Sequence, residues 1–157
     1  MAEWSGHIAF IQIATAASEG LVSLGEVEVV ARKGLMGDRY FKGIGTYSNK
    51  PGGGREITLI ERESLDAMKR DLKIELGPAE SRRNVVTVGV PLNHLVGRQF
   101  RLGREVVLQG VRLCEPCEHL ENLTSRGVND GLVHRGGLRA DILHGGKIKV
   151  GDAITPI

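Results

Sequence analysis

The chain has 157 residues, a formal net charge of +2, 41% hydrophobic and 25% charged residues, and only 4% aromatic ones. That length suits one domain around one core, which needs neither a disulfide nor a metal merely to fold. The small net charge sets up no strong field toward nucleic acid or membrane, and the scarcity of aromatics leaves no stacking platform for single strands.

Val, Ile and Leu must therefore fill the core, and 22 glycines predict the many tight turns of a β-rich fold. No apolar run approaches the roughly 20 residues of a membrane helix. The opening segment, Met1 to His7, has no basic stretch ahead of its apolar residues, so no signal peptide is predicted. Cys114 and Cys117 form one close pair rather than a disulfide framework, which points to a reducing compartment and a cytoplasmic location.

In chain order, residues 8–13 are short, apolar and strand-like, and residues 16–25 form a small-residue loop. Residues 26–31 alternate charged and apolar side chains, the pattern of a strand with one wet face. Residues 33–54 hold seven glycines with little periodicity, a loop long enough to suggest a functional role. A strand at 56–60 precedes an amphipathic helix at 63–72, whose Leu65, Met68 and Leu72 share one face. A β-branched strand follows at 84–88, then a short helical turn at 92–96 and a hairpin of 99–102 with 106–110 around Gly103. Residues 111–117 lead into a short helix at 119–123, residues 138–143 form a buried strand or helical turn, and two strands joined by a Gly-Asp turn close the chain. The result is one mainly β domain over residues 1–157, a barrel-like fold with one clear helix.

The chemistry centres on Cys114-Glu115-Pro116-Cys117. A structural zinc site needs four ligands, and there is no second such pair; a thioredoxin-like redox site should open a helix. Cys114 continues the apolar line of Val111 and Leu113 and is expected in the core. Cys117 follows Pro116 at a strand exit, where a thiol can be reachable and acidic, and where a thiolate suits a transition metal; plain burial is the alternative for both. Arg39, Arg82, Arg83 and Arg139 stand at the edges of glycine-rich or strand-terminal segments, where guanidinium forks can take phosphate or carboxylate. Solvated or ion-paired surface arginines are the competing reading, with Asp38, Glu80 or Asp141 as partners. Lys50-Pro51-Gly52-Gly53-Gly54 lacks the order of a phosphate loop, Glu61 and Glu63 make no convincing acid–base pair, and the histidines carry no metal or triad signature.

The ordered segments Lys33-Gly34-Leu35-Met36-Gly37-Asp38-Arg39-Tyr40, residues 55–61, Arg82-Arg83-Asn84-Val85-Val86-Thr87, residues 92–100, the cysteine segment, Gly136-Gly137-Leu138-Arg139-Ala140 and Val150-Gly151-Asp152 together resemble a MOSC domain, from about Ile8 to the end of the chain. The resemblance implies a β-barrel-like fold related to the insert domain of pyruvate kinase, with one or a few short helices. It also implies one functional cysteine, here Cys117, that either ligates molybdenum in a bound molybdopterin cofactor or carries sulfur as a persulfide. By the same carry-over, Arg39, Arg82, Asn84 and Arg139 hold the pterin phosphate and ring edges. Three functions follow: a molybdenum-dependent reductase of N-hydroxylated or N-oxide substrates served by an external electron donor, a sulfur carrier loaded by a donor protein, or a non-catalytic cofactor- or partner-binding module. Neither a pyridoxal-phosphate domain nor an N-terminal companion domain, present in larger relatives, fits in this chain, so part of the cofactor pocket is expected to be either missing or supplied by another copy.

Overall fold

The computed structural model describes residues 3–43, 53–114 and 127–157. Seven strands close into a barrel: β1 (Gly6–Ile13), β6 (Val85–Val88), β5 (Ile57–Glu61), β9 (Leu138–His144), β8 (Val106–Leu113), β7 (Gln99–Leu102) and β11 (Ala153–Pro156), which returns to β1. β5 and β6 run parallel, joined by the α-helix α1 (Arg62–Leu72); the other barrel pairs are antiparallel. A short strand β2 (Val22–Leu24) extends the sheet from β1, and a second sheet is ordered β10 (Gly146–Lys149), β3 (Glu26–Val30), β4 (Gly34–Leu35).

Closure follows from the strands themselves. β1 carries an irregularity between Ile8 and Phe10, so its start pairs with β11 while its end pairs with β2. Such bulges bend a strand enough to change neighbours. Along each strand one face is apolar and fills the barrel: Ile8, Ile11, Ile57, Leu59, Val85, Phe100, Leu102, Leu108, Leu138, Ile142 and Ile154 are all at most 1% exposed. Each such side chain contributes roughly 1.5–3 kcal/mol. The second sheet joins this core through Val27, Val29, Leu35 and Ile148, while Glu26, Glu28, Lys147 and Lys149 stay wet, as the alternation in residues 26–31 predicts.

A second apolar cluster explains why β5 is buried on both faces. Ile60 and Val86 lie on the outer face of β5 and β6, where Leu65 and Met68 of α1, Leu76, and Val128 and Leu132 around the short helix α2 (Val128–Gly131) cover them. α1 has Glu63 in its first turn and Lys69 and Arg70 in its last, complementing the helix dipole, and ends on left-handed Lys73.

All the predicted strands within the described residues are present, and residues 138–143 resolve as strand. Four short elements carry no periodic signal: β2, β4, α2 and a 3-10 turn at Ala79–Ser81. β8 runs on to Leu113, past the predicted end at residue 110, because a bulge between Gly110 and Arg112 lets it keep pairing with β9. The predicted helix at 119–123 lies outside the described residues. Among the described residues no helix is long and apolar enough to cross a membrane.

Candidate functional site

The strand registers bring the predicted site residues to one end of the barrel. β1 ends there, at Ile13 and Ala14; β6 begins there, just after Arg82, Arg83 and Asn84; β9 begins there, with Arg139; and β8 ends there, next to Cys114. Arg139 stands opposite Thr58 on one side and Arg112 on the other. Thr58 meets Asn84, and the Asn84 carbonyl receives the Gln12 amide at 2.7 Å. A polar row thus crosses the outer face of β8, β9, β5, β6 and β1.

Asn84 is fully buried, and its side chain joins strands. Its Oδ1 accepts from the Thr58 amide at 3.1 Å and the Thr58 hydroxyl at 3.2 Å, while its Nδ2 donates to the Gln12 carbonyl at 3.1 Å. Gln12 is also fully buried, its Nε2 donating to the carbonyls of Pro78 at 2.7 Å and Arg83 at 2.8 Å. These bonds hold the Pro78–Arg83 turn against the barrel.

Arg82 terminates the 3-10 turn in the left-handed region at φ 59°, and its amide donates to the Ala79 carbonyl at 3.2 Å. That reversal separates two adjacent arginines. Arg83 turns inward: it is 8% exposed, its Nε donates to the Gly136 carbonyl at 2.9 Å, and its Nη2 reaches the Cys114 carbonyl at 3.5 Å. Arg82 stays half-buried, its Nη1 donating to the Glu19 carbonyl. Burial, and then the neighbouring charge of Arg39, disfavour the charged form of Arg82; Tyr40 and Asp38 oppose this, and Arg83 adds to it. Arginine stays protonated regardless, so the finding describes a desolvated, electropositive spot.

Arg39 is 5% exposed and paired with the fully buried Asp38, Nη1 to Oδ1 at 3.1 Å. Its Nη2 donates to the Arg82 carbonyl at 3.2 Å, and its guanidinium lies 4.8 Å from the centre of the Tyr40 ring. The ion-paired reading, with Asp38 as partner, therefore holds for Arg39.

Cys114 is 1% exposed, as expected from its apolar line, with its amide donating to the Gly137 carbonyl at 2.7 Å. Gly137 itself packs tightly against β5: its φ is 110°, and a Cβ there would lie 2.0 Å from the Leu59 carbonyl oxygen. Cys117 and most of the 50–54 glycine segment lie outside the described residues. Among the described residues no group of three or more His, Cys, Asp or Glu side chains is placed to hold a metal.

The sequence reading of the site misses Arg83 and Gln12 as anchors of this end. The Arg82-Arg83-Asn84 run was the available signal, but nothing local says which arginine turns inward. Glu61 and Glu63 do interact, Glu61 being pushed above the usual carboxylate range by burial and then by Glu63.

A closed β-barrel whose one end gathers arginines around a strand exit bearing a cysteine segment is the class that fold and site define. The MOSC domain family model matches residues 46–155, and the chain belongs to that family. Among solved structures, YuaD from Bacillus subtilis aligns with a TM-score of 0.77 at 16% identity, covering 96% of each chain. YiiM from Geobacillus stearothermophilus aligns with a TM-score of 0.70 at 13% identity, covering 97% of this chain and 75% of that one. YiiM from Escherichia coli gives 0.66 at 16%, covering 96% and 69%. No curated protein matches by sequence.

Proposed function

We propose that the protein binds a molybdenum cofactor at the arginine end of the barrel, that Cys117 ligates the metal, and that the loaded protein reduces N-hydroxylated or N-oxide substrates. The observation carrying this reading is the half-buried Arg82 guanidinium, crowded by Arg39 and Arg83 with Asp38 as the local counter-charge. A desolvated excess of positive charge suits a phosphate monoester, the charged part of a molybdopterin. Membership of the MOSC family supports the same ligand.

The chain's own residues would divide the work. Arg82 and Arg139 would take the phosphate and polar ring edges. Asn84 would hold β1, β5 and β6 in register beneath them. Arg83, by holding the Cys114 and Gly136 carbonyls, would fix where the cysteine segment leaves the barrel. When bound, the cofactor would supply the oxygen-atom and electron chemistry, while the protein sets orientation and charge. The sequence has no flavin motif or iron–sulfur cysteine set, so an external donor would provide electrons.

The test is the metal and pterin content of protein isolated from molybdate-fed cells, beside its Cys117→Ser variant. Equal, near-stoichiometric molybdenum and pterin, lost in the variant, is the expected result. Absence of both from the wild type would overturn it; an added sulfur on Cys117 in the intact mass would then replace it with persulfide carriage.

A further inference from the structure

Two arginines of the site differ in what their nitrogens are free to do. Arg39 is almost wholly enclosed, with Nη1 on Asp38 and Nη2 on the Arg82 carbonyl. Asp38 is itself fixed: its Oδ1 also accepts from the Ala14 amide at 2.9 Å, and its Oδ2 from the Tyr40 amide at 3.3 Å. The Arg39 amide in turn donates to the Ala14 carbonyl at 2.7 Å. The Asp38–Arg39 pair is therefore locked to the end of β1 and points one guanidinium nitrogen at the backbone of Arg82.

Arg82 occupies the left-handed region, unfavourable for a residue with a Cβ, so its conformation must be held by its surroundings. Its amide is held by Ala79 and its carbonyl by Arg39. Its guanidinium is the more exposed of the two and is anchored by one nitrogen on the Glu19 carbonyl.

We infer that Arg82 is the anion-contacting arginine and that Arg39, oriented by buried Asp38, is a positioning residue acting through the Arg82 backbone. This rests on the anion-binding reading above and reassigns Arg39 within it. The ligand class is a dianionic phosphate monoester.

The two roles for Arg39 predict opposite effects of one substitution. Asp38→Asn removes a buried negative charge beside the site. If Arg39 contacted the anion, its freed charge would tighten binding. If Arg39 works by orienting Arg82, loss of the ion pair loosens Arg82 and weakens binding. The probe is inorganic phosphate at about pH 8, where it is mostly dianionic, titrated calorimetrically into the wild type, Asp38→Asn, Arg39→Lys, Arg82→Gln and the Arg39→Lys/Arg82→Gln double variant, with thermal melts to establish folding. Arg82→Gln should weaken phosphate about tenfold or more, the scale of one charge-assisted contact. Asp38→Asn and Arg39→Lys should each weaken it less, and the double variant should bind no worse than Arg82→Gln alone, because Arg39 acts through a side chain already gone.

Tighter binding by Asp38→Asn, or additive losses in the double variant, would overturn the positioning role and leave the anion site standing. If Asp38→Asn does not fold, the Arg39/Arg82 cycle decides alone. Wild type that binds no phosphate, or Arg82→Gln that binds it as wild type does, would instead remove the anion site and the proposed function's support with it.

Discussion

Glu56, immediately before β5, and Asp141 of β9 each lie one residue beyond the Ile57–Ala140 pair, and their carboxyl groups interact. Each is also held by backbone: Glu56 Oε1 accepts from the Ile142 amide at 3.0 Å, and Asp141 Oδ1 from the Gly54 amide at 2.7 Å. Two ionised carboxylates at such a position repel. Burial first, and then Asp141, hold the Glu56 carboxyl above its ordinary value, against the opposing backbone bonds.

The pH consequence has a definite sign. A carboxyl whose folded pKa is raised favours the native state when protonated, so its contribution is full below the ordinary carboxylate range and is lost as pH rises through the raised value. Glu56→Gln cannot ionise and keeps an oxygen for the Ile142 amide. The variant should therefore gain on the wild type as pH climbs from about 4.5 to 7, by up to about 1 kcal/mol given the partial exposure of the pair. Glu61, also raised, is common to both proteins and cancels in the difference. Melting curves across that range check it, and a pH-independent difference would contradict it.

The two cysteines should separate stability from function. Cys114 is buried and its backbone is held on both sides by Gly137 and Arg83. Cys114→Ser places a hydroxyl in that site and should cost about 1–3 kcal/mol in chemical denaturation. Cys117→Ser should leave the unfolding free energy within about 0.5 kcal/mol of the wild type while abolishing cofactor or sulfur loading. The reverse pattern, with a functional loss from Cys114→Ser alone, would move the reactive thiol to Cys114.

Gly137 should be intolerant of even one methyl group. Its φ of 110° and a Leu59 carbonyl oxygen only 2.0 Å from the position of an added Cβ leave backbone movement as the sole relief. Gly137→Ala should destabilise by about 3 kcal/mol or more, since it combines backbone strain with overpacking against a barrel strand. Because Gly137 also accepts the Cys114 amide, hydrogen exchange at Cys114 should speed up beyond the global change in stability. An unchanged melting temperature would refute the close contact.

Much of the barrel was legible because its strands are long enough to show a pattern. Glu26-Val27-Glu28-Val29-Val30 alternates, and α1 shows its Leu65–Met68 face. β2 and β4 were invisible because two or three residues contain no period; pairing to β1 and β3 makes them strands. The site was legible as residue types but not as roles. Arg82 and Arg83 are identical in sequence terms, and only the left-handed turn at Arg82 sends one outward and the other to the Gly136 carbonyl. Arg39 reads either as an anion-binding fork or as a surface partner of Asp38; the structure shows the pairing, but buried rather than at the surface.

Asn84 gives a way to distinguish a framework role from cofactor contact. Its side chain satisfies the Thr58 amide and the Gln12 carbonyl, both inside the fold. Asn84→Ala leaves those two groups unpaired in a space too enclosed for easy solvation, at a cost of about 2–4 kcal/mol. Asn84→Asp keeps an acceptor for Thr58 but turns a second oxygen toward the Gln12 carbonyl, exchanging attraction for repulsion and burying a charge; it should be at least as damaging near neutral pH. Acid should rescue Asn84→Asp in part, since protonation restores one donor for Gln12, and should do nothing for Asn84→Ala. Denaturation of the cofactor-free protein at two pH values checks this. If both variants are as stable as the wild type and lose only cofactor, then Asn84 serves the ligand and the strand-joining role assigned to it is wrong.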